Sequence, residues 1–373
     1  MWRTEEGSTG RLVQLCVAYF IFYVITGVTV KYYLGAADKG FPGMNDIEFL
    51  VYSTFGGTLV CLVVAVAAGW YRLESNSATQ WGPLRFPSEF LYIIPSGVCT
   101  AVVIPTTTLM YSLPISVMVA MVIMRGSVIV ISRIVDAVQI RQGILTKKVY
   151  REEDIAIGFA LMAVGVHLVW ARDGGFDFLT NVAAVTILSS YITAYAIRIY
   201  LMNYFKNTRG KGVKQDNKGF FAVEQIAASV VIFGITCMLF NSPDWFGWEA
   251  KQLQQLRGAF SDAKPQWPGA ILSGAAFGVV AFFSVFIFMF KGRTATFAGL
   301  VNRLTSLIAG TTATLVSAGL FGGKLPKTED WISLGFILVA VAFLTSAERK
   351  RAAELAQAKA LEPTTTAAPA RAA

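Results

Sequence analysis

The chain has 373 residues, is 55% hydrophobic and only 15% charged, and has a mean hydropathy of +0.56; soluble domains carry about 25% charged residues, which excludes a soluble globular protein. Its net charge of +9 would suggest nucleic acid in a soluble chain, but here the excess cations read as topology signals in loops, and nucleic acid is excluded as a partner. The cysteines, Cys16, Cys61, Cys99 and Cys237, all fall in apolar runs without metal-ligand spacing, which excludes a disulfide framework and a zinc site.

Ten runs are long enough to span a bilayer, which takes about 20 mostly apolar residues. They are 11–34, 47–71, 89–112, 115–138, 153–171, 178–204, 219–241, 268–290, 295–321 and 330–347. The polar start, residues 1–10, reads as a cytoplasmic N-terminus without a cleavable signal. The first span carries Tyr19 and Tyr23 at i, i+4, on one face, and ends at Lys31, which can snorkel to the headgroups or attract an anion. Ser88 with Glu89 supplies capping and acidic groups for the third span. Within that span Thr106, Thr107 and Thr108 follow Pro105, whose ring frees a carbonyl that hydroxyls can help satisfy.

The fourth span holds Arg125 in the run VMVAMVIMRGSVIVIS. A guanidinium stays protonated, and at bilayer depth it costs from ~3 to more than ~10 kcal/mol. At 1.5 Å per residue it lies ~15 Å into the helix, near midplane. Arg133 and Asp136, at i, i+3 in the same span, are expected to pair. Glu153 and Asp154 open the fifth span, which contains the only histidine, His167. On the sixth, Tyr191, Tyr195 and Arg198 share a face, and Tyr200 points elsewhere. Arg198 is within reach of Glu224, one turn into the seventh span, as a gate or a structural tie. The segment 241–267 contains Trp245, Trp248 and Trp267 and reads as either an interfacial amphipathic helix or a solvated loop. Gly274 and Gly278 form a GxxxG in the eighth span, which permits close helix approach. The ninth holds Asn302 and a second intramembrane arginine, Arg303. The tail, 352–373, is rich in Ala, Pro and Thr and reads as disordered beyond a short frayed helix.

With the N-terminus cytoplasmic, the inner loops hold 20 Lys and Arg and the outer loops 7. Both termini are therefore expected in the cytoplasm. The end of each half repeats: an intramembrane arginine, an apolar run, a basic loop, an acidic pair (Glu153-Asp154, Glu329-Asp330) and a helix with Gly-Phe (Gly158-Phe159, Gly335-Phe336). Arg125 maps to Arg303 at an offset of 178, and Gly158 to Gly335 at 177. The repeats are 11–171 and 178–347. Five spans per half make them inverted, an architecture that places a substrate site near midplane between the halves. The expected fold is thus an all-α polytopic membrane protein of ten transmembrane helices, two inverted five-helix repeats, with N- and C-termini cytoplasmic.

In span number, inversion and the helix-loop-helix ending each half, the chain resembles the drug/metabolite transporter superfamily across residues 11–347. That superfamily includes EamA-type exporters and the nucleotide-sugar and triose-phosphate transporters. Met124-Arg125-Gly126 resembles the LRG-like stretch of the nucleotide-sugar branch. The FYNN and GALNK motifs of some Golgi carriers are absent, and the ninth span reads Leu300-Val301-Asn302-Arg303. The resemblance implies a central cavity lined by spans 1–4 and 6–9, with spans 5 and 10 peripheral, which makes His167 a packing residue.

The reading that follows is a secondary transporter of a small organic anion bearing carboxylate or phosphate, working by alternating access. Guanidinium matches either group bidentately. The expected substrate contacts are Arg125, Arg303, Asn302, Tyr191, Tyr195, Tyr19, Tyr23 and Thr107. Alternatives are an exporter of amino acids or of amphipathic drug-like or lipid-like molecules with structural arginines, and a non-transporting scaffold. No P-loop, HExxH or GxSxG occurs, so no ATP-driven motor or familiar intramembrane enzyme is encoded. No cofactor and no metal is expected. The partners are the substrate and the lipid bilayer, with a homodimer left open. The Ala-rich tail and the lack of a sorting motif suggest a bacterial inner membrane; a eukaryotic endomembrane carrier reads the same.

Overall fold

The computed structural model describes residues 9–145, 150–170, 177–210, 213, 215–290, 295–323 and 325–361. The apolar runs are helical because, in lipid, a helix satisfies each backbone donor and acceptor within itself. In chain order the helices are α1 (Thr9–Tyr33), α2 (Asp46–Ala67), α3 (Phe90–Ser112), α4 (Val117–Arg141), α5 (Arg151–Gly165), α6 (Val182–Asn207), α7 (Asn217–Phe246), α8 (Lys251–Ser261), α9 (Trp267–Phe288), α10 (Ala295–Phe321) and α11 (Thr328–Leu361). Among the described residues nine of these, all but α5 and α8, are long and apolar enough to cross a membrane, and the chain is an integral multi-pass membrane protein. The predicted fifth span is α5 prolonged by a π-helical turn, Val166–Trp170. Residues 1–8 and 362–373, which include most of the expected N-terminal segment and the end of the expected disordered tail, lie outside the described residues; the helix itself continues to Leu361.

Polar side chains define several helix starts. Asn45, Ser116, Asn181 and Asp216 each accept the amide three residues on, at 2.8–3.1 Å. Glu89 does not do this. Its buried carboxylate accepts instead from Ser75 Oγ (2.5 Å), the Asn76 amide (2.6 Å) and Arg209 (2.7 Å). Burial pushes this carboxyl up, but those hydrogen bonds and the Arg209 charge win and hold it below the usual carboxylate range. The contact ties the α6–α7 connection to a small hairpin absent from the sequence expectation, β1 (Ala78–Trp81) paired antiparallel with β2 (Leu84–Pro87). Its two-residue turn works because Gly82 takes φ +58° ahead of Pro83.

Three other expectations are corrected. Lys31 does not snorkel: its ammonium donates to the carbonyls of Tyr111 (2.7 Å), Leu113 (3.3 Å) and Ile115 (2.9 Å). These lie where Pro114 interrupts the chain between α3 and α4, leaving helix-end carbonyls without amide partners. Arg133 pairs not with Asp136 but with Glu153 of α5, at 2.9 Å. Asp136 accepts from the amide and hydroxyl of Thr296, and the positive end of α10 favours it there. The segment after α7 contains a helix, α8, but its apolar residues Leu253 and Leu256 are buried, and Tyr52 of α2 donates to the Ala259 carbonyl at 2.6 Å. Trp245, Trp248 and Trp267 stay exposed, as interfacial anchors would.

Contacts between helix ends fix the helix directions. The end of α1 meets the end of α3 through Lys31, the end of α6 meets the end of α9 through Lys206 and Phe288 (3.2 Å), and the start of α4 meets the end of α10 through Met118 and Thr314 (3.0 Å). We call the face at which α1 begins the near face and the opposite one the far face. The fourth helix is central: 83% of its apolar window is buried, against 22% for α7. It packs on α5, α6 and α10; α1 packs on α9 and α10, α2 on α7 and α9, α3 on α6 and α7, and α5 on α11.

Glycines set the closest crossings. A Cβ on Gly274 would strike the Ser53 carbonyl of α2, and one on Gly97 would sit 2.6 Å from Ala227 Cβ and 2.7 Å from the Glu224 carbonyl of α7. Gly274→Leu is expected to destabilise the fold by about 3 kcal/mol or more, because neither backbone can withdraw. Thermal unfolding in detergent checks this; a melting temperature equal to that of the parent would show that the crossing can open.

Candidate functional site

The two arginines lie in one buried cluster with the predicted tyrosines. Arg125 projects from α4, and its Nη1 donates to Tyr191 Oη of α6 at 3.1 Å. Its Nη2 donates to Tyr23 Oη of α1, and the guanidinium lies 5.1 Å from the Tyr23 ring centre. Arg303, on α10, donates from Nη2 to Tyr195 Oη at 2.9 Å. It lies 4.9 Å from the Tyr195 ring and 5.1 Å from that of Phe288, close enough for cation–π attraction. The four tyrosines are held by their helical spacing: Tyr19 and Tyr23 are 5.1 Å apart edge to face, and Tyr191 and Tyr195 are also 5.1 Å apart.

Asn302 joins by a different route from its neighbour, as adjacent helix positions must. Its Oδ1 accepts from Tyr19 Oη at 3.3 Å and its Nδ2 donates to Ser284 at 3.2 Å. Thr107 stands apart from this hydrogen-bonded cluster. Its hydroxyl donates to the Val103 carbonyl one turn back, at 2.7 Å, and α3 runs through Pro105 without interruption.

The electrostatics are unbalanced. Both guanidiniums are buried, and among the described residues neither meets a carboxylate. Arg125 Nε and Arg303 Nε and Nη1 have no hydrogen-bond partner. Phenols and π faces soften the cost of burying a cation but do not neutralise it. Arg198 is different: its Nε and Nη2 donate to the two oxygens of Glu224 at 2.8 Å each, and Ser96 Oγ donates to the same carboxylate at 2.6 Å. This expected pair lies on the near-face side of Tyr195.

Two residues of the cluster were missed in the sequence. Tyr111, late in α3, shares a hydrogen bond with Tyr23 (2.8 Å) and touches Met121 sulfur (3.3 Å); Phe288, late in α9, faces Arg303. A signal existed, since Tyr111 and Phe288 are 177 positions apart, the offset that relates the two Gly-Phe pairs. His167 is buried on the far side, with Nδ1 3.8 Å from Asp330 of α11, away from the cluster. No family model matches this chain, and no curated protein matches it.

Proposed function

We propose that the chain is a secondary transporter of a small organic anion, built as ten spans in two inverted five-helix repeats with both termini cytoplasmic, on the pattern of the drug/metabolite transporter superfamily. Helix adjacency supports the repeat. Where α1 packs on α9 and α10, α6 packs on α3 and α4; where α2 packs on α9, α7 packs on α3. The pairs α2/α7, α4/α10 and α5/α11 are their own counterparts, as a two-fold axis requires. Residues follow the same relation: Tyr19 and Tyr23 match Tyr191 and Tyr195 at offset 172, and Arg125 matches Arg303 at 178. The contact of Arg125 with Tyr23 then has its image in that of Arg303 with Tyr195.

The observation that carries the reading is the pair of buried guanidiniums that meet no carboxylate among the described residues and keep donors without hydrogen-bond partners. An anion supplies the missing charge and the missing acceptors together. Phosphate and carboxylate both suit the guanidinium fork, and the phenols of Tyr19, Tyr23, Tyr191 and Tyr195 add hydrogen bonds and stacking surface. In alternating access the halves rock about this midplane site. Uptake of phosphorylated and carboxylated metabolites into proteoliposomes tests the proposal. The expected result is saturable flux of at least one anion; an inert protein across the panel would sink it.

A further inference from the structure

Resting on that transport reading, the two halves can be compared position by position. Under the proposed two-fold, Gly97 matches Gly274 and Ser96 matches Ser273 at offset 177, and the buried Phe49 matches the buried Phe220 at 171. The chemistry diverges at one place. Arg198 has Thr26 as its counterpart, at offset 172, and Glu224 has Ser53, at 171. Where the near-face side holds a two-pronged ion pair clamped by Ser96, the far-face side holds only hydroxyls.

A cleft occupies that far-face position. Its lining includes Thr26 and Val30 of α1, Ser53 of α2, Tyr111 of α3 and Ser273 of α9, and its volume is about 10 Å³, room for roughly one water. Thr26 donates to the Phe22 carbonyl at 2.9 Å, which leaves its oxygen able to accept; Ser273 shares a hydrogen bond with Thr29 at 2.7 Å. Tyr111 forms the cleft wall and is hydrogen-bonded to Tyr23, which contacts Arg125. Tyr111 and Tyr23 therefore link the cleft wall to Arg125. The Lys31 ammonium sits on the Tyr111 carbonyl at this end, and the nearby Glu48 carboxylate is 3.5 Å from Lys264, which offsets its charge.

We infer that the far-face cleft is the mouth through which the anion reaches Arg125, with Thr26, Ser53 and Ser273 as contact residues along the way, while the near-face route is the one held shut. Opening the near face separates Ser96 from the buried Glu224 carboxylate and breaks the buried Glu89–Arg209 pair that joins the two halves, which is costly away from water. Opening the far face separates hydroxyls, apolar side chains and the partly exposed Lys264 from Glu48, and the Arg125 charge draws an anion inward.

The test uses full-length protein with its four cysteines replaced by serine, carrying Ser53→Cys, Ser273→Cys or Ser96→Cys singly, in sealed vesicles of known orientation. The probes are two membrane-impermeant thiol reagents, anionic sulfonatoethyl methanethiosulfonate and its cationic trimethylammonium counterpart. Ser53→Cys and Ser273→Cys are expected to label from the face opposite the termini. The anionic reagent should be favoured about tenfold over its intrinsic reactivity, as charge-lined clefts concentrate counter-ions, and Arg125→Gln should reduce that preference. Ser96→Cys, probed from the face of the termini, should react at least about tenfold more slowly than Ser53→Cys. Inert cysteines at both cleft positions, equal rates for the two reagents, or a faster Ser96→Cys would each overturn the route. Anion flux separates the levels: a parent without flux defeats the transport reading, full flux in the arginine variants defeats the arginine site and with it the route to Arg125, and arginine-dependent flux with an inert cleft defeats the route alone.

Discussion

An Arg125→Gln protein is expected to insert and fold like the parent while binding its anion at least about thirtyfold more weakly. Truncating one partner of a buried, hydrogen-bonded charge contact costs about 2–5 kcal/mol, and each 1.4 kcal/mol is a factor of about ten. Arg303→Gln should behave alike, because each arginine is bonded to a phenol and lies over an aromatic face, and neither meets a carboxylate among the described residues. Glutamine keeps a donor for the tyrosine and removes the charge. Without ligand, both variants should be as stable as the parent or more so, since an uncompensated buried cation is removed. That sign is informative. Arginines that serve only to hold the helices together would give the reverse pattern, a lower melting temperature with unchanged binding. Arg125→Lys, which keeps the charge but loses the planar fork, should fall between parent and glutamine variant. Binding isotherms and unligated melting temperatures on the same preparations decide between these patterns.

The second large effect concerns Arg198 and Glu224. Glu224→Leu leaves a buried guanidinium without its two acceptors and strips Ser96 of its partner. Breaking a buried pair from one side costs about 3–5 kcal/mol. Removing both charges is different, because hydrophobic replacement of a buried pair is often neutral. Arg198→Leu with Glu224→Leu is therefore expected to recover most of the lost stability. Denaturation of the parent, both single variants and the double variant forms a complete cycle. A double variant destabilised by the sum of the two single effects would mean that the pair is not a coupled unit.

The parts of the structure governed by run length and helical period were legible from the sequence. Each of the ten apolar runs corresponds to helix, and Tyr19/Tyr23, Tyr191/Tyr195 and the Arg198–Glu224 pair occupy the faces expected from i, i+4 spacing. Choices made between helices were not legible. Asp136 lies one turn from Arg133, but the start of α10 claims it and Glu153 of α5 takes its place. Nothing in the first span reveals that three carbonyls around Pro114 await Lys31. Thr107 is polar and in a span expected to line a cavity, yet its hydroxyl turns to its own helix. Tyr111 joins the cluster only through its contact with Tyr23 on another helix, which spacing within α3 does not reveal. The hairpin at 78–87 was hidden because its four-residue strands are mostly exposed and carry no buried alternation.

The claim beneath all of this is that the space around Arg125 and Arg303 is completed by an anion. Thermal unfolding of the purified protein, titrated with inorganic phosphate, sulfate and phosphorylated or carboxylated metabolites, tests it most directly. Binding to the folded state alone adds about 2.7 kcal/mol of stability at a hundred times the dissociation constant. Saturable stabilisation by at least one anion is expected, strongly reduced in both Arg125→Gln and Arg303→Gln. An anion that stabilised parent and variants equally, or a parent unmoved by every anion tested, would contradict it.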